Sequence, residues 1–305
     1  MLDMSERNRT VLAALAVVIG LFLLIGVPFL VQNSLDPVLE ELLVVVKERP
    51  QFLSGLSLFT LFYPLWRALS FVAGAALLVS VPAIRQGQGW TLPVTLTAYS
   101  MPAIGGMFMF LPFISWVEDS FPIPLIIAFV GLIGFWATLT LRNTDRLHKI
   151  ADVLTFTFIG MMATHAFVIG IGAQRQLMTR PSKPLYEGLE WWILTMTGDI
   201  NWIAAAGLLV AIPLLIMRRK AGWYLAVIGA VSILLIDAPA QLIRTNTLDY
   251  LYGSLLAIGL LLWLNIPAFQ ERILGERMSV TTAQLKSGAS RITLDDSPGT
   301  PAAVS

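Results

Sequence analysis

Residues 10–32 read TVLAALAVVIGLFLLIGVPFLVQ, a run without one ionisable side chain. As a helix rising 1.5 Å per residue it extends about 34 Å, enough to cross a hydrocarbon core of about 30 Å. The run exceeds the short apolar core of a secretory signal and has no small-residue cleavage site after Phe29, so it reads as a retained span. Lipid offers no partner for an unpaired backbone group, and a segment this apolar can enter it only as a helix or as part of a closed barrel.

Working outward, runs of the same kind follow at Leu56–Ile84, Thr91–Trp116, Phe121–Leu141, Ile150–Ala173, Trp191–Met217, Gly222–Ile243 and Leu248–Phe269. No alternating β pattern competes with them. The composition agrees, with 56% hydrophobic and 13% charged residues. The expected fold is all-α, a polytopic bundle of about eight transmembrane helices, in which 10–141 and 150–269 form two four-helix halves. The segment 1–9 is then a short cytoplasmic N-terminus. The tail 278–305, rich in Ser, Thr, Ala, Gly and Pro, is too polar to bury itself and reads as a disordered cytoplasmic spacer.

Orientation follows from the basic residues of the loops. With the N-terminus inside, inner segments carry Arg7, Arg9, Arg85, Arg142, Arg146, Lys149, Arg218, Arg219, Lys220, Arg272 and Arg277, against Lys47, Arg49, Arg175, Arg180, Lys183 and Arg244 outside. That bias places the chain in the cell membrane with both ends cytoplasmic. Trp90, Trp116, Trp191, Trp192, Trp223, Tyr250 and Tyr252 fall at span edges, where amphipathic rings favour the headgroup layer. In the first outer loop, Asp36-Pro37 is a helix start, and Leu39, Leu42, Leu43 and Val46 recur opposite Glu40, Glu41, Lys47 and Glu48. The expectation is an amphipathic helix over 36–49, lying on the outer surface, covering a cavity mouth or meeting a partner.

Several function classes are excluded early. A net charge of +1 without clustered Lys and Arg argues against nucleic acid as a partner. The absence of cysteine removes disulfides, thiolate metal sites, Fe–S clusters and thiol catalysis. No paired-carboxylate motif, Gly-rich phosphate loop, serine with a neighbouring base or helix-spaced metal ligands appears, and Glu40-Glu41 and Glu118-Asp119 read as solvated acids. No cofactor or metal is expected, and the balance leans away from an enzyme.

Ser54–Val94 laid over Glu187–Val227 gives ten identities in 41 positions, including Gly55 with Gly188, Arg85 with Arg218 and Gly89-Trp90 with Gly222-Trp223. Chance in so biased a composition gives about three or four. An internal duplication would make the halves parallel repeats about an axis along the membrane normal, with any substrate path between them. In outline, eight spans in two four-helix halves with large outer loops, the chain resembles haem A synthase. That resemblance implies histidines on paired helices ligating haem. Here only His148, read as part of an inner loop, and His165, in a span, exist, so haem held by paired histidines is excluded.

Ionisable groups inside hydrocarbon cost several kcal/mol unless paired or wet, which singles out Arg67, His165, Asp199 and Asp237 as a polar cavity or ion pair in the outer half of the bilayer. The repeat alignment sets Arg67 beside Asp199, suggesting an ion pair across the halves, with Asp237, followed by Pro239, a second acid. The alternative is that the second and sixth spans are only Ala68–Ile84 and Asn201–Met217, leaving Arg67 and Asp199 at the interface. His165, beside Thr164 and between Gly160 and Gly170, reads as a helix-to-helix hydrogen-bonding residue or as a proton acceptor facing Asp199 or Asp237. The methionines, Met101, Met107, Met109, Met161 and Met162 among them, read as packing.

Two functional readings remain. One is a transporter-like protein with an outward-facing polar cavity, or a membrane subunit of a larger complex, its partners the lipid bilayer and other membrane subunits. The other is a membrane enzyme acting on a lipid or quinone-like substrate at the outer leaflet, with Arg67 holding a headgroup and His165 or Asp199 as acid or base. A groove opening sideways to lipid beside these residues distinguishes the second.

Overall fold

The computed structural model describes residues 4–117, 120–178, 188–245 and 247–275. The tail 278–305, the acids Glu118-Asp119, and Arg180, Lys183 and Arg277 lie outside them. The described residues form α1 (Glu6–Leu21), a π-helical turn (Phe22–Gly26), α2 (Val27–Glu48), α3 (Leu53–Arg85), α4 (Thr91–Trp116) and α5 (Ile123–Thr140). After these come α6 (Arg146–Met178), α7 (Gly188–Ile216), α8 (Lys220–Ile243), α9 (Asp249–Asn265) and α10 (Pro267–Leu274). No strand occurs among them. Seven helices are long and apolar enough to cross a membrane, and the pair α9 and α10, bent by 75°, brings the number to eight.

Contacts fix the helix ends. Asn8 Nδ2 donates to the Leu141 carbonyl at 2.7 Å, Trp223 Nε1 to the Leu264 carbonyl at 3.0 Å, and Arg272 Nε lies 3.5 Å from Asp145 Oδ1. These gather the N-terminus, the α5–α6 and α7–α8 turns and α10 at one end. At the opposite end the Phe52 and Trp116 rings meet edge to face at 5.4 Å, and Ser54 Oγ donates to the Arg175 carbonyl at 3.2 Å. The rod α1–α2 packs on α3 and α5, α3 on α4 and α4 on α5, and α6 packs on α7 and α9, α7 on α8 and α8 on α9.

The separate helix expected over 36–49 is not formed as such. α2 runs through Asp36 and Pro37 as the direct continuation of the first span, and Glu6–Glu48 is one rod of 43 residues. Its buried stripe is Val31, Ser34, Leu35, Val38 and Leu42, turned toward α3, whereas Leu43 is exposed. Pro37 lacks only an N–H that the preceding turn can forgo, and the Gln32 amide bridges to Asp36 Oδ1 at 2.6 Å across the site. Burial along α3 outweighs the proline's cost.

Helices α3 and α4 meet α6 and α7 through aromatic rings. Phe62 and Trp66 of α3, Phe108 of α4, Phe167 of α6 and Trp202 of α7 interlock edge to face at centroid separations of 5.0–6.4 Å. Such contacts add to the burial of large rings, and they fill the junction at this level. Two glycines let the helices approach. A Cβ at Gly105 would fall 2.7 Å from Trp66, and one at Gly170 would run into the Trp202 ring.

Candidate functional site

The four singled-out residues do not form one centre. Arg67 Nη1 donates to Gln32 Oε1 at 3.1 Å, and Gln32 in turn reaches Asp36, a surface chain within the first half. Asp199 is exposed and accepts from Gln174 Nε2 at 2.8 Å. No ion pair joins Arg67 to Asp199 among the described residues. The cross-half ion pair is therefore corrected. Equal depth on two helices says nothing of rotation about their axes, and each side chain takes an amide partner on the adjacent helix of its own half.

Asp237 and His165, by contrast, are brought together by α8, α6 and α9. Asp237 is wholly buried, and its Oδ1 accepts from Asn201 Nδ2 at 2.8 Å. Asn201, equally buried on α7, also donates to the Thr197 carbonyl at 2.9 Å. Asp237 Oδ2 and Asn201 Oδ1 have no hydrogen-bond partner. His165 Nε2 lies 2.9 Å from the Asp249 carbonyl oxygen. A carbonyl can only accept, so Nε2 carries the hydrogen and Nδ1 is the acceptor of the neutral ring.

Gly253 of α9 is the floor shared by both groups. A Cβ there would lie 2.1 Å from Asp237 Oδ2 and 3.1 Å from His165 Nε2. Measured from a common point, the two atoms are within about 5 Å of each other, inside the range over which charges interact strongly. Gly253, Ser254 and Ala257 form the small face of α9 that permits this approach.

His165 also faces a cavity of about 440 Å³. Its walls come from α4 and α5 of the first half and α6, α7 and α9 of the second, with Met107, Leu132, Phe135, Phe156 and Leu256 among them. Two lining residues, Met161 and Leu111, are exposed on the flank of the bundle, so the cavity opens sideways. It is apolar, in contrast to the polar cavity expected. Two of the hydroxyls that line it spend their hydrogens within their own helices: Ser100 Oγ donates to the Thr97 carbonyl at 2.7 Å and Thr164 Oγ1 to the Gly160 carbonyl at 2.9 Å. Thr157 Oγ1 accepts from Trp136 Nε1 at 3.3 Å. His165 is the one ionisable residue in this lining.

Comparison of the chain with protein families, curated proteins and solved structures finds no match.

A second polar cluster, unforeseen in the sequence, sits near the N-terminal end. Arg142 Nη1 donates to Asp152 Oδ2 at 2.8 Å, and His148 Nε2 is 3.3 Å from the same oxygen. Asp152 and His148 are buried, and Arg218, with φ 56°, closes the group from the α7–α8 turn. His148 is thus in the first turn of α6 and not in a loop. Asp145 caps that turn, accepting from the His148 N–H at 2.8 Å. This hydrogen bond, reinforced by Arg272, holds the Asp145 carboxyl below the usual aspartate value. The signal that could have found the cluster is an Asp–x–x–His–x–x–x–Asp spacing, an N-cap followed by an i, i+4 pair. No grouping of three or more metal-ligating residues occurs among the described residues.

Proposed function

We propose that this multi-pass membrane protein binds a lipid-dissolved molecule, an apolar chain ending in a hydroxyl group, in the side cavity against His165. It then acts as a transporter-like carrier or as a membrane subunit presenting that ligand to companion chains. One observation carries the reading: a cavity of about 440 Å³, within the range of small-molecule sites, with an apolar wall, a lateral opening and a single ionisable side chain. Ser100 and Thr164 spend their hydroxyl hydrogens on backbone carbonyls, and the second ring nitrogen of His165 is left to accept from a ligand's hydroxyl.

The cell membrane, cytoplasmic termini and duplicated halves belong to the same proposal. Arg7, Arg9, Arg85, Arg142, Arg146, Lys149, Arg218, Arg219, Lys220 and Arg272 at the N-terminal end support the orientation, and the matching packing order supports the repeat. Bilayer lipid and other membrane subunits are the proposed partners, and nucleic acid is not. The lateral opening also favours the second reading, an enzyme on a lipid or quinone-like substrate. Arg67 and Asp199 are absent from the cavity lining, so that enzyme would lack the headgroup clamp and second acid assigned to it.

Gly160 supplies the test. It lines the cavity, and a Cβ added there meets nothing within 4 Å, so Gly160→Leu directs its side chain into open space. Protein purified in mild detergent is analysed by mass spectrometry for bound small molecules and companion chains. Wild type should retain an apolar ligand that Gly160→Leu reduces at least about tenfold, a loss of about 1.4 kcal/mol. An identical ligand complement in both proteins refutes the reading.

A further inference from the structure

Among the described residues two carboxyls are buried, Asp152 and Asp237, and the chain treats them differently. Asp152 has Arg142 and His148 on one oxygen, the arrangement a buried carboxylate requires. Asp237 has one neutral amide, and no cationic group lies within ion-pair distance of it among the described residues. Its Oδ2 is unpartnered and, like His165 Nε2, lies against Gly253. A charge left this way in a low-dielectric interior would cost several kcal/mol, whereas a neutral acid would not.

The ionisable groups around it are His165 on α6, Tyr250 and Asp249 on α9, and Arg244 at the end of α8. Asp199 on α7 turns outward to Gln174. Asn201 suits either form of the acid, since its Nδ2 donates to Oδ1 while its own Oδ1 remains an unused acceptor.

We propose that Asp237 is a proton-binding site, occupied in the resting protein, and that His165 is the group through which its proton exchanges with the cavity. In loading, His165 Nδ1 takes a proton from the cavity side, and Nε2 turns from the Asp249 carbonyl to release its hydrogen to Oδ2. One proton has moved, the carboxylate has become a neutral acid, and the ring ends neutral as the other tautomer. The exchange route rests on the cavity described above; the protonated carboxyl does not.

Infrared titration of the full chain in phosphatidylcholine nanodiscs, with no ligand added, separates these points. Wild type at neutral pH should show the carbonyl band of a protonated carboxylic acid that disappears at alkaline pH. Asp237→Asn should remove it and Asp237→Glu should move it. On transfer to deuterated buffer, the isotopic shift of the band should slow at least about tenfold in His165→Gln and in Gly160→Leu, with the band itself retained. Absence of the band from wild type at neutral pH, or its survival unchanged in Asp237→Asn, overturns the site. Unchanged exchange in His165→Gln overturns the route. A normal band together with an unaltered ligand complement in Gly160→Leu would fault the ligand reading alone.

Discussion

Gly253→Ala is the sharpest perturbation of the polar centre because one methyl group addresses it directly. The added Cβ would stand 2.1 Å from Asp237 Oδ2, where real contacts do not fall below 3.0 Å. The carboxyl must retreat by about 1 Å, or α9 must move off α8. Retreat by that amount stretches the 2.8 Å hydrogen bond from Asn201 beyond useful length. Overpacking costs about 1–3 kcal/mol and the lost hydrogen bond about 1 kcal/mol, so a total of about 2–4 kcal/mol follows. The assay is thermal unfolding in detergent followed by tryptophan fluorescence, with a fall in Tm of about 5 °C or more expected. Gly160→Ala, entering open space, should melt as wild type. Asp237→Ala combined with Gly253→Ala should be less destabilised than the two single effects summed, since the clash needs both side chains. Wild-type melting of Gly253→Ala would refute the close approach of α8 and α9.

At the other polar cluster, Asp152→Ala should cost about 3–5 kcal/mol by leaving Arg142 and His148 without their acceptor, while Arg142→Met with Asp152→Leu should recover most of it, both read as detergent melting temperatures. For Asp145 the native carboxyl titrates below its unfolded value of about 3.9, so the stability it adds is complete above that value and is lost as pH falls through the native one. Asp145→Asn, which keeps a capping side chain, should flatten this part of the Tm-against-pH curve; a profile identical to wild type contradicts the assignment.

Hydropathy carried the topology because the free-energy difference between lipid and water is large and local. The run Thr91–Trp116 coincides with α4, and the limits of α3, α5, α7 and α8 differ from their runs by a few residues. Packing between helices changed the first span. Val38 and Leu42 pack with Leu56 and Phe59 of α3 and Phe113 of α4, and that tertiary gain carries the helix through Asp36-Pro37, which locally reads as the start of a new helix. The site was only half legible for a related reason. Depth along a helix can be counted, but in segments apolar on every side no periodicity marks the inward face. Asp237 and His165 were found as rare ionisable groups; their rotation toward Gly253, and that of Arg67 and Asp199 away from each other, could not be read. Asn201 and Gly253 were missed, although an amide within a span and a Gly-Ser pair on α9 are the residue types that tie membrane helices together.

The five-residue π turn at Phe22–Gly26 has a consequence for the long first rod. An ideal α-helix drifts around its axis relative to a straight neighbour, so a stripe extending from Leu12 to Leu42 would wind off α3. One wider turn takes up the accumulated angular error, as a leap day resets a calendar. Below it Ala16, Ile19 and Gly20 are buried, and above it Val27, Val31 and Leu35 are too, so the buried stripe continues across the turn and both stretches pack on α3.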